Sequence, residues 1–189
     1  MSKKFYIADT HFGHRNCIRF DNRPFSTVEE HDAALIANWN RVVTQSDHVY
    51  VIGDFAYRNE RDVKEYIDAL NGHIHLIRGN HDKRSAKYEK NFRSVNDILI
   101  VNDIFHGETR KVIMCHYWIP FAPHQRHGAF VLHGHTHASL EAKLEEEMKR
   151  KIRQNGIRCD AYNVGCMYQD YRPMTLEEIV GRNEEKRME

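Results

Sequence analysis

The first half of the chain alternates short apolar runs with amphipathic stretches. Three apolar runs are typical of buried strands, and each ends at a polar segment: Phe5–Ala8, His48–Ile52 and His73–Ile77. Between them, two stretches carry apolar residues at helical spacing. One begins at a capping box formed by Ser26 and Glu29, and the other covers Arg61–Leu70. This order of elements predicts an α/β arrangement with parallel neighbouring strands.

The second half has a different pattern. Its apolar runs predict five short strands, at Ile98–Val101, Ile104–His106, Lys111–Cys115, Ala129–His133 and Arg158–Val164. Tight turns at Asn102-Asp103 and Gly107-Glu108 would join the first three, so we expect a hairpin-rich, antiparallel portion. Thr175 and Glu178 form a capping box that predicts a short C-terminal helix, and the tail Arg182–Glu189 is expected to fray.

A charged stretch, Leu140–Gln154, separates two of these strands and predicts a long helix. Acidic and basic residues alternate along it as favourable i,i+4 pairs: Glu145/Lys149, Glu146/Arg150 and Glu147/Lys151. A narrow apolar stripe comprises Leu140, Leu144, Met148 and Ile152. We interpret it as a surface helix resting on the domain, with a lid or a homodimer contact as alternatives. Without repeats or a linker, residues 1–189 are expected to form one domain, with a charged helical insertion at about 140–154.

Composition places few restrictions on function. Of the 189 residues 41% are hydrophobic, and 28 basic residues balance 27 acidic ones to a net charge of +1. An extended nucleic-acid footprint is therefore not indicated, and the longest apolar runs are too short to span a membrane. The cysteines, Cys17, Cys115, Cys159 and Cys166, form no C-x-x-C pair. We expect reduced thiols and a cytoplasmic protein.

Five segments place metal-binding side chains at the ends of predicted strands, and they include five of the 14 histidines. They are Asp9-Thr10-His11, Gly53-Asp54, Gly79-Asn80-His81-Asp82, Cys115-His116 and Gly134-His135-Thr136-His137. Because sites in open α/β sheets form beyond the carboxyl ends of strands, we expect all five on one edge of the sheet. The candidate ligands are Asp9, His11, Asp54, Asn80, His116, His135 and His137. One divalent ion takes roughly four to six ligands, so seven indicate two adjacent ions, an arrangement that hydrolyses phosphate esters.

The residue types suit this chemistry. Asp9 and His11 would alternate in an extended chain and reach one ion from the same face, and the Gly-His-Thr-His segment repeats that spacing. Asp54 has the two charged oxygens that a bridging ligand needs, and Asn80 offers a neutral one. Mixed nitrogen and oxygen donors favour Mn²⁺ over Ca²⁺, with Fe, Zn²⁺ or Ni²⁺ as alternatives. The glycines that precede three of the ligands would permit tight turns near the ions.

With these segments in this order, the sequence resembles the calcineurin-like metallophosphoesterase superfamily over roughly residues 5 to 165. The opening Asp9-Thr10-His11-Phe12-Gly13-His14 is similar to small single-domain bacterial and phage phosphoesterases. The resemblance implies an α/β fold, a four-layer α/β/β/α sandwich of two mixed sheets. The helix Leu140–Gln154 departs from a minimal member and would bear on substrate access or assembly.

The resemblance also implies roles for the candidate residues. A first ion would be held by Asp9, His11, Asp54 and His137, and a second by Asp54, Asn80, His116 and His135. Asp54 would then bridge the two ions. The implied reaction is in-line attack of a metal-bridging hydroxide on phosphorus, with His81 as the proton donor to the leaving oxygen. The expected catalytic residues are therefore His81 and Asp54, and Asp82 would orient His81 or cap the next segment.

The substrate-binding residues are less constrained. Arg15, Arg58 and Arg84 each follow a ligand by a few residues and are candidates for phosphate contacts, although for each one taken singly an ordinary exposed arginine is the favoured interpretation. His14 could contact substrate, support a ligand or pack. Phosphomonoesters, phosphodiesters, cyclic nucleotides and nucleotide pyrophosphates all remain open, because loops and not the fold determine specificity.

Three other functional classes can be compared with this one. A nuclease or cyclic-nucleotide phosphodiesterase would share the site, but a long nucleic-acid substrate would favour a basic groove. A catalytically silent binding module would be expected to lose ligands, and the sequence retains all seven candidates. A serine hydrolase lacks support because the chain has no Gly-x-Ser-x-Gly, and no phosphate-binding glycine loop is present. We therefore expect a phosphate-ester small molecule or nucleotide as the substrate.

Overall fold

The structure is a computed structural model that describes residues 2–58 and 61–188, the last three by their backbone alone. These described residues form eight strands: β1 (Lys4–Ile7), β2 (His48–Ile52), β3 (His73–Ile77), β4 (Ser94–Asn96), β5 (Ile98–Phe105), β6 (Glu108–Cys115), β7 (Phe130–His133) and β8 (Ala161–Asn163). The same residues form six α-helices: α1 (Arg15–Phe20), α2 (Val28–Val42), α3 (Val63–Ala69), α4 (Ala86–Glu89), α5 (Leu140–Gln154) and α6 (Leu176–Met188).

The strands form two sheets of four. The first has the order β1-β2-β3-β4, and all its ladders are parallel. The second has the order β5-β6-β7-β8 and is mixed, because β5 and β6 pair antiparallel while β6, β7 and β8 are parallel. Single bridges, Ala8 to Gly165 and Tyr6 to Met174, attach β1 to the chain beyond β8. The expected α/β sandwich of two sheets is confirmed, but the first sheet is wholly parallel where two mixed sheets were expected.

Three apolar clusters define the layers. The first packs α2 and α3 on the outer face of the first sheet, around the fully buried Trp39 and Leu35. The second lies between the sheets and includes Ile52, Leu132 and Ile179 of α6. The third lies on the outer face of the second sheet, where Ile152 of α5 packs against it. Burial of these clusters supplies the main favourable term in folding.

Most predicted elements are present, with shifted ends. β2 and β3 have the predicted bounds, and α3 begins at a capping box of Asp62 and Glu65. The capping box predicted at Ser26 was wrong by one residue, because Thr27 accepts the hydrogen bond from the Glu30 N–H, 3.1 Å away. Three short elements, α1, α4 and β4, were not predicted, since three to six residues show little periodicity. The C-terminal helix continues to Met188, so the fraying expected from Arg182 is not seen there, and Glu189 lies outside the described residues.

The predicted turn at Asn102-Asp103 was wrong. β5 is one continuous strand, in which Asn102 pairs with Lys111 and Asp103 with Arg110. Asp103 does not leave the sheet because its carboxylate accepts a hydrogen bond from the Tyr6 hydroxyl, 2.8 Å away. The single hairpin turns at His106 and Gly107, one residue before the predicted Gly107-Glu108 turn, and these two residues have φ values of 49° and 81°. Two positive φ angles match the twist of antiparallel strands.

Helix α5 has the predicted bounds but the opposite orientation. Three of the four residues of its apolar stripe face solvent, with Leu140 71%, Leu144 51% and Met148 52% exposed, and only Ile152 packs against the domain. The buried residues are Glu145 and Lys149, which form an ion pair of 2.6 Å beneath the helix. This inversion follows from pairing, because a buried charge is tolerated only when it meets an opposite charge and hydrogen bonds. In the described chain, none of the helices is long and apolar enough to cross a membrane.

Candidate metal centre

The predicted ligand segments converge from both sheets. Asp9, Asp54 and Asn80 follow β1, β2 and β3 of the first sheet, whereas His116 and the Gly134–His137 loop follow β6 and β7 of the second. The expectation of one sheet edge was therefore incorrect. The two sheets face each other, so the carboxyl ends of their parallel strands meet at the same end of the sandwich.

One compact group lies at the centre of this region. Ligand atoms of Asp9, His11, Asp54 and His137 all lie within 4.8 Å of one another. His137 Nε2 is 3.3 Å from both Asp9 Oδ1 and His11 Nε2, and His11 Nε2 is 3.6 Å from Asp54 Oδ2. Asp9, His11 and Asp54 are at most 2% exposed. Two carboxylates and two imidazoles facing one small space are a donor set suited to a transition-metal dication.

A second group shares Asp54. The Oδ2 atom of Asp54, which lies 3.6 Å from His11 Nε2, is also 3.5 Å from His116 Nε2. Asn80 Oδ1 lies 3.2 Å from the same His116 nitrogen, and the ring of His135 is 5.2 Å from the ring of His116. Asp54 therefore stands between two sets of nitrogen and oxygen donors, which is the position that a bridging carboxylate requires.

The backbone at these residues is not extended. Five of the seven candidate ligands have positive φ: Asp9 at 55°, His11 at 49°, Asp54 at 55°, His135 at 73° and His137 at 44°. The inference that Asp9 and His11 alternate along an extended chain was therefore wrong. Left-handed backbone is uncommon for residues other than glycine, although Asp and His adopt it more readily than most. Such residues cluster at functional sites, where surrounding structure holds them in place.

Three glycines give the ligands room. A Cβ atom on Gly53 would lie 2.1 Å from His116 Nδ1, and one on Gly79 would lie 2.1 Å from Asp54 Oδ1. A Cβ atom on Gly134 would lie 2.5 Å from Asp9 Oδ2. The sequence pointed to these glycines as turn residues, which suits Gly53 with its φ of 86°. For Gly79 and Gly134, the structural requirement is close approach of a carboxylate.

The carboxylates and imidazoles of the site shift one another's pKa values. Burial opposes ionisation of Asp9 and Asp54, but neighbouring histidines outweigh it and lower the pKa of both carboxyls. Burial would also lower the pKa of His137 and His116, yet the adjacent carboxylates raise them to about 10 and about 9. Burial dominates at His11 and lowers its pKa to about 3. A cation would have to displace protons from the imidazoles of His116 and His137, so its affinity would decrease as the pH is lowered.

Several contacts orient the ligands, and the sequence did not reveal them. His116 Nδ1 lies 2.9 Å from the Ile52 carbonyl, which directs Nε2 at Asp54. His137 Nδ1 lies 2.8 Å from Asp21 Oδ1. Asp82 does not orient His81, because its carboxylate accepts hydrogen bonds from the backbone N–H groups of Gly79, Asp54 and Phe55 and from the Tyr88 hydroxyl. Only Asp82, by its place in a ligand segment, carried any sequence signal.

A pocket of about 320 Å³ opens beside the first group. Its lining includes His11, His14, Phe20, Tyr57, Arg58, His81 and His137. His81 Nε2 is 4.0 Å from Asp54 Oδ2, and the Tyr57 ring packs 4.1 Å from the His81 ring. A larger groove of about 730 Å³ between α5 and α6 is lined by none of the seven candidate ligands. The smaller pocket is therefore the one that can bring a substrate to the centre.

Two of the four residues predicted to bind substrate line this pocket. His14 lies in its wall with its ring 5.3 Å from that of His11, and Arg58 donates a hydrogen bond to the Tyr57 hydroxyl, 3.1 Å away. Arg15 begins α1 with an exposed side chain and does not line the pocket. Arg84 also lies outside the lining and forms an ion pair of 2.9 Å with Asp97. The structure therefore does not bring Arg15 or Arg84 to the site.

Comparisons with known proteins agree with this architecture. Residues 4–165 match the model of the calcineurin-like phosphoesterase superfamily domain. The uncharacterized protein MJ1445 of Methanocaldococcus jannaschii is 35% identical over 188 residues, which cover 95% of this chain and 90% of that protein. The Gene 66 protein of Mycobacterium phage L5 is 28% identical over 171 residues, which cover 74% of this chain and 80% of that protein.

A solved structure, that of the Aquifex aeolicus protein of unknown function AQ665, has the same fold. Its TM-score to this chain is 0.70 at 22% identity, over 95% of this chain and 98% of that one. The family match, the fold and the clustered aspartates and histidines are mutually consistent. The chain belongs to the calcineurin-like phosphoesterase superfamily.

Proposed function

We propose that the protein is a metal-dependent phosphoesterase that hydrolyses phosphomono- or phosphodiester bonds at a dinuclear centre. The observation that carries the proposal is the convergence of Asp9, His11, Asp54 and His137 within 4.8 Å beside an open pocket. Family membership supports hydrolysis of phosphate esters in general. The charge-balanced, buried donor set supports the metal requirement.

We assign the ligands to two ions. The first ion takes Asp9, His11, Asp54 and His137, and the second takes Asp54, Asn80, His116 and His135. The position of Asp54 Oδ2, 3.6 Å from His11 Nε2 and 3.5 Å from His116 Nε2, supports its role as the shared ligand. We favour Mn²⁺, with Fe, Zn²⁺ or Ni²⁺ as alternatives, because the donors mix nitrogen and oxygen.

The residues around the ions would complete the chemistry. Two divalent ions would supply a positive charge for the phosphoryl oxygens and activate water. His81 is a third exposed and lies at the pocket, so it can reach a leaving oxygen and donate its proton there. Tyr57 packs against His81 and limits the positions of its ring. Arg58 and His14 line the same pocket and can contact the substrate.

A small phosphate ester or a nucleotide is the substrate class that we favour. The pocket of about 320 Å³ accommodates a small molecule, and the net charge of +1 provides no general attraction for a long polyanion. A nuclease of the same superfamily is the nearest alternative. Four buried cysteines without disulfides are consistent with a cytoplasmic location.

The experiment compares metal-stripped protein with and without added Mn²⁺ on a chromogenic phosphomonoester and a chromogenic phosphodiester. Asp54→Asn should abolish metal-dependent turnover because it removes the shared charge from both ions. Asp103→Asn is the matched control, since Asp103 bonds Tyr6 at the edge of the second sheet. Absence of turnover on both esters with Mn²⁺, Fe²⁺, Zn²⁺ and Ni²⁺, despite metal uptake, would favour a catalytically silent metal-binding module.

A further inference from the structure

A buried arginine lies directly behind the first-ion ligands. Arg23 follows α1, is 4% exposed and makes no contact with the pocket. Its guanidinium donates to the carbonyl oxygens of Asp9, at 3.0 Å, and Thr10, at 3.2 Å. It also donates twice to Asp21 Oδ2, at 2.8 and 3.0 Å. The planar guanidinium of Arg23 therefore holds the backbone of Asp9 and Thr10 and the carboxylate of Asp21 at fixed spacing.

The other oxygen of that carboxylate faces the ligand from the opposite sheet. Asp21 Oδ1 lies 2.8 Å from His137 Nδ1, and the two residues are 116 positions apart. With a proton on Nδ1, the lone pair of His137 is on Nε2, which is the atom that faces Asp9 and His11. A carboxylate behind a ligating histidine fixes both its tautomer and its ring orientation. Among the ligand histidines of the described chain, His116 has a carbonyl in that role instead.

The support continues away from the site. Arg23 Nη1 lies 2.9 Å from His31 Nε2, and His31 Nδ1 lies 3.0 Å from Asp32 Oδ1. Asp32 in turn accepts hydrogen bonds from the N–H of Gly13, in the loop that carries His11. His31 and Asp32 are buried on α2, so the network ties that helix to the first ligand segment. A closed network of this kind keeps its members from adjusting independently.

We propose that Asp21, held by Arg23, is a positioning residue that fixes His137 for the first ion and leaves the second ion unaffected. The inference rests on the proposed function, because it assumes that His137 ligates a metal. Asp21 contacts His137 and is assigned to no ligand of the second ion. The inference can therefore be tested by measuring metal affinity at each site, without an activity assay.

The test uses Asp21→Asn, which preserves size. Arg23 would attract the amide oxygen, so the amide NH₂ would face His137 Nδ1 and force the proton onto Nε2. Metal-stripped wild type and variant are titrated with Mn²⁺ and followed by electron paramagnetic resonance, which counts bound ions. We expect affinity for one of the two ions to fall about 10- to 100-fold, with the other within about twofold of wild type. Asp103→Asn is the control and should bind both ions as wild type does.

Thermal unfolding in the presence of a chelator separates positioning from simple structural support. We expect Asp21→Asn to fold without metal at a melting temperature below that of wild type, because its amide oxygen still accepts a hydrogen bond from Arg23 but carries no charge. Asp21→Ala, which leaves Arg23 without its carboxylate, should lower that temperature and also lose the first ion. Unchanged affinity for both ions in Asp21→Asn, or equal weakening of both, would overturn the inference. A wild-type protein that binds none of Mn²⁺, Fe²⁺, Zn²⁺ and Ni²⁺ would refute the proposed function and this inference with it.

Discussion

Gly79→Ala is a small change that should disable the proposed centre. An alanine Cβ at this position would lie 2.1 Å from Asp54 Oδ1, 2.6 Å from the Asp54 backbone nitrogen and 2.9 Å from Asp54 Cγ. Real Cβ atoms essentially never approach closer than 3.0 Å, so the carboxylate must move by about 0.9 Å, the difference between 3.0 and 2.1 Å. The Cβ atom cannot relieve this clash by moving toward the Asp54 backbone nitrogen, which is also too close. A misplacement of about 1 Å in a catalytic group reduces turnover by roughly 10²-fold.

The assay is Mn²⁺-dependent hydrolysis of a chromogenic phosphodiester, together with the number of Mn²⁺ ions bound at equilibrium. Both quantities should fall in Gly79→Ala, because Asp54 is assigned to both ions. Gly181→Ala is the matched control: its Cβ would have no neighbour within 4 Å, and alanine in a helix is favoured over glycine by about 1 kcal/mol. Wild-type turnover and metal content in Gly79→Ala would refute the reasoning, since they would mean that the position of Asp54 is not critical.

Three further predictions follow from the site and from α5. His81→Ala should reduce turnover by about 10²- to 10⁴-fold while the protein still binds two Mn²⁺ ions, and loss of metal would contradict its assignment as a proton donor. Mn²⁺ at about 100 times the dissociation constant of each site should stabilise the wild type by about 2.7 kcal/mol per bound ion in thermal unfolding, and Asp54→Asn should lose most of that gain. Glu145→Gln should lower the free energy of unfolding by about 3 kcal/mol near neutral pH, because it leaves Lys149 with a weakened partner. Burial opposes ionisation of Glu145, but His133 and Lys149 outweigh it and lower its pKa from 4.5 to about 2. The difference between wild type and variant should therefore be full above about pH 4.5 and shrink as the pH falls toward 2, and a pH-independent difference would exclude this pairing as its cause.

The fold could largely be predicted where burial decides the structure. β2 is an apolar run after His48, and β3 alternates two histidines with the buried Ile74 and Leu76; short segments of this kind between polar stretches are typical of strands. The faces of α5 could not be predicted in the same way. Its apolar stripe suggested the inward face, but Glu145 and Lys149 lie inward because His133 on β7 offers a partner 2.8 Å from each. The pattern of residues along a helix contains no information about a polar partner on the strand beneath it.

The candidate site divides along a similar line. The ligand segments could be identified from the sequence, because each pairs a strand end with side chains of the right chemistry. The left-handed backbone of Asp9 and His137 could not be predicted, since neither residue type by itself indicates a positive φ. Asp21 was also missed, because it lies outside every predicted strand, helix and ligand segment and its partner is 116 positions away. The supports of a site depend on the tertiary fold more than its ligands do.

The left-handed backbone of the candidate ligands lowers the stability of the fold at the residues that the proposed activity needs. Each non-glycine residue held in that region costs about 1 to 3 kcal/mol, and five of the seven candidate ligands are so held. Replacing any of them with glycine would relieve that strain while removing a ligand. Selection for heat resistance alone would then favour substitutions that erode the centre, whereas selection that includes turnover would retain a less stable protein. A thermostability programme on this fold should therefore hold these five positions fixed and look for gains in the helices and surface loops.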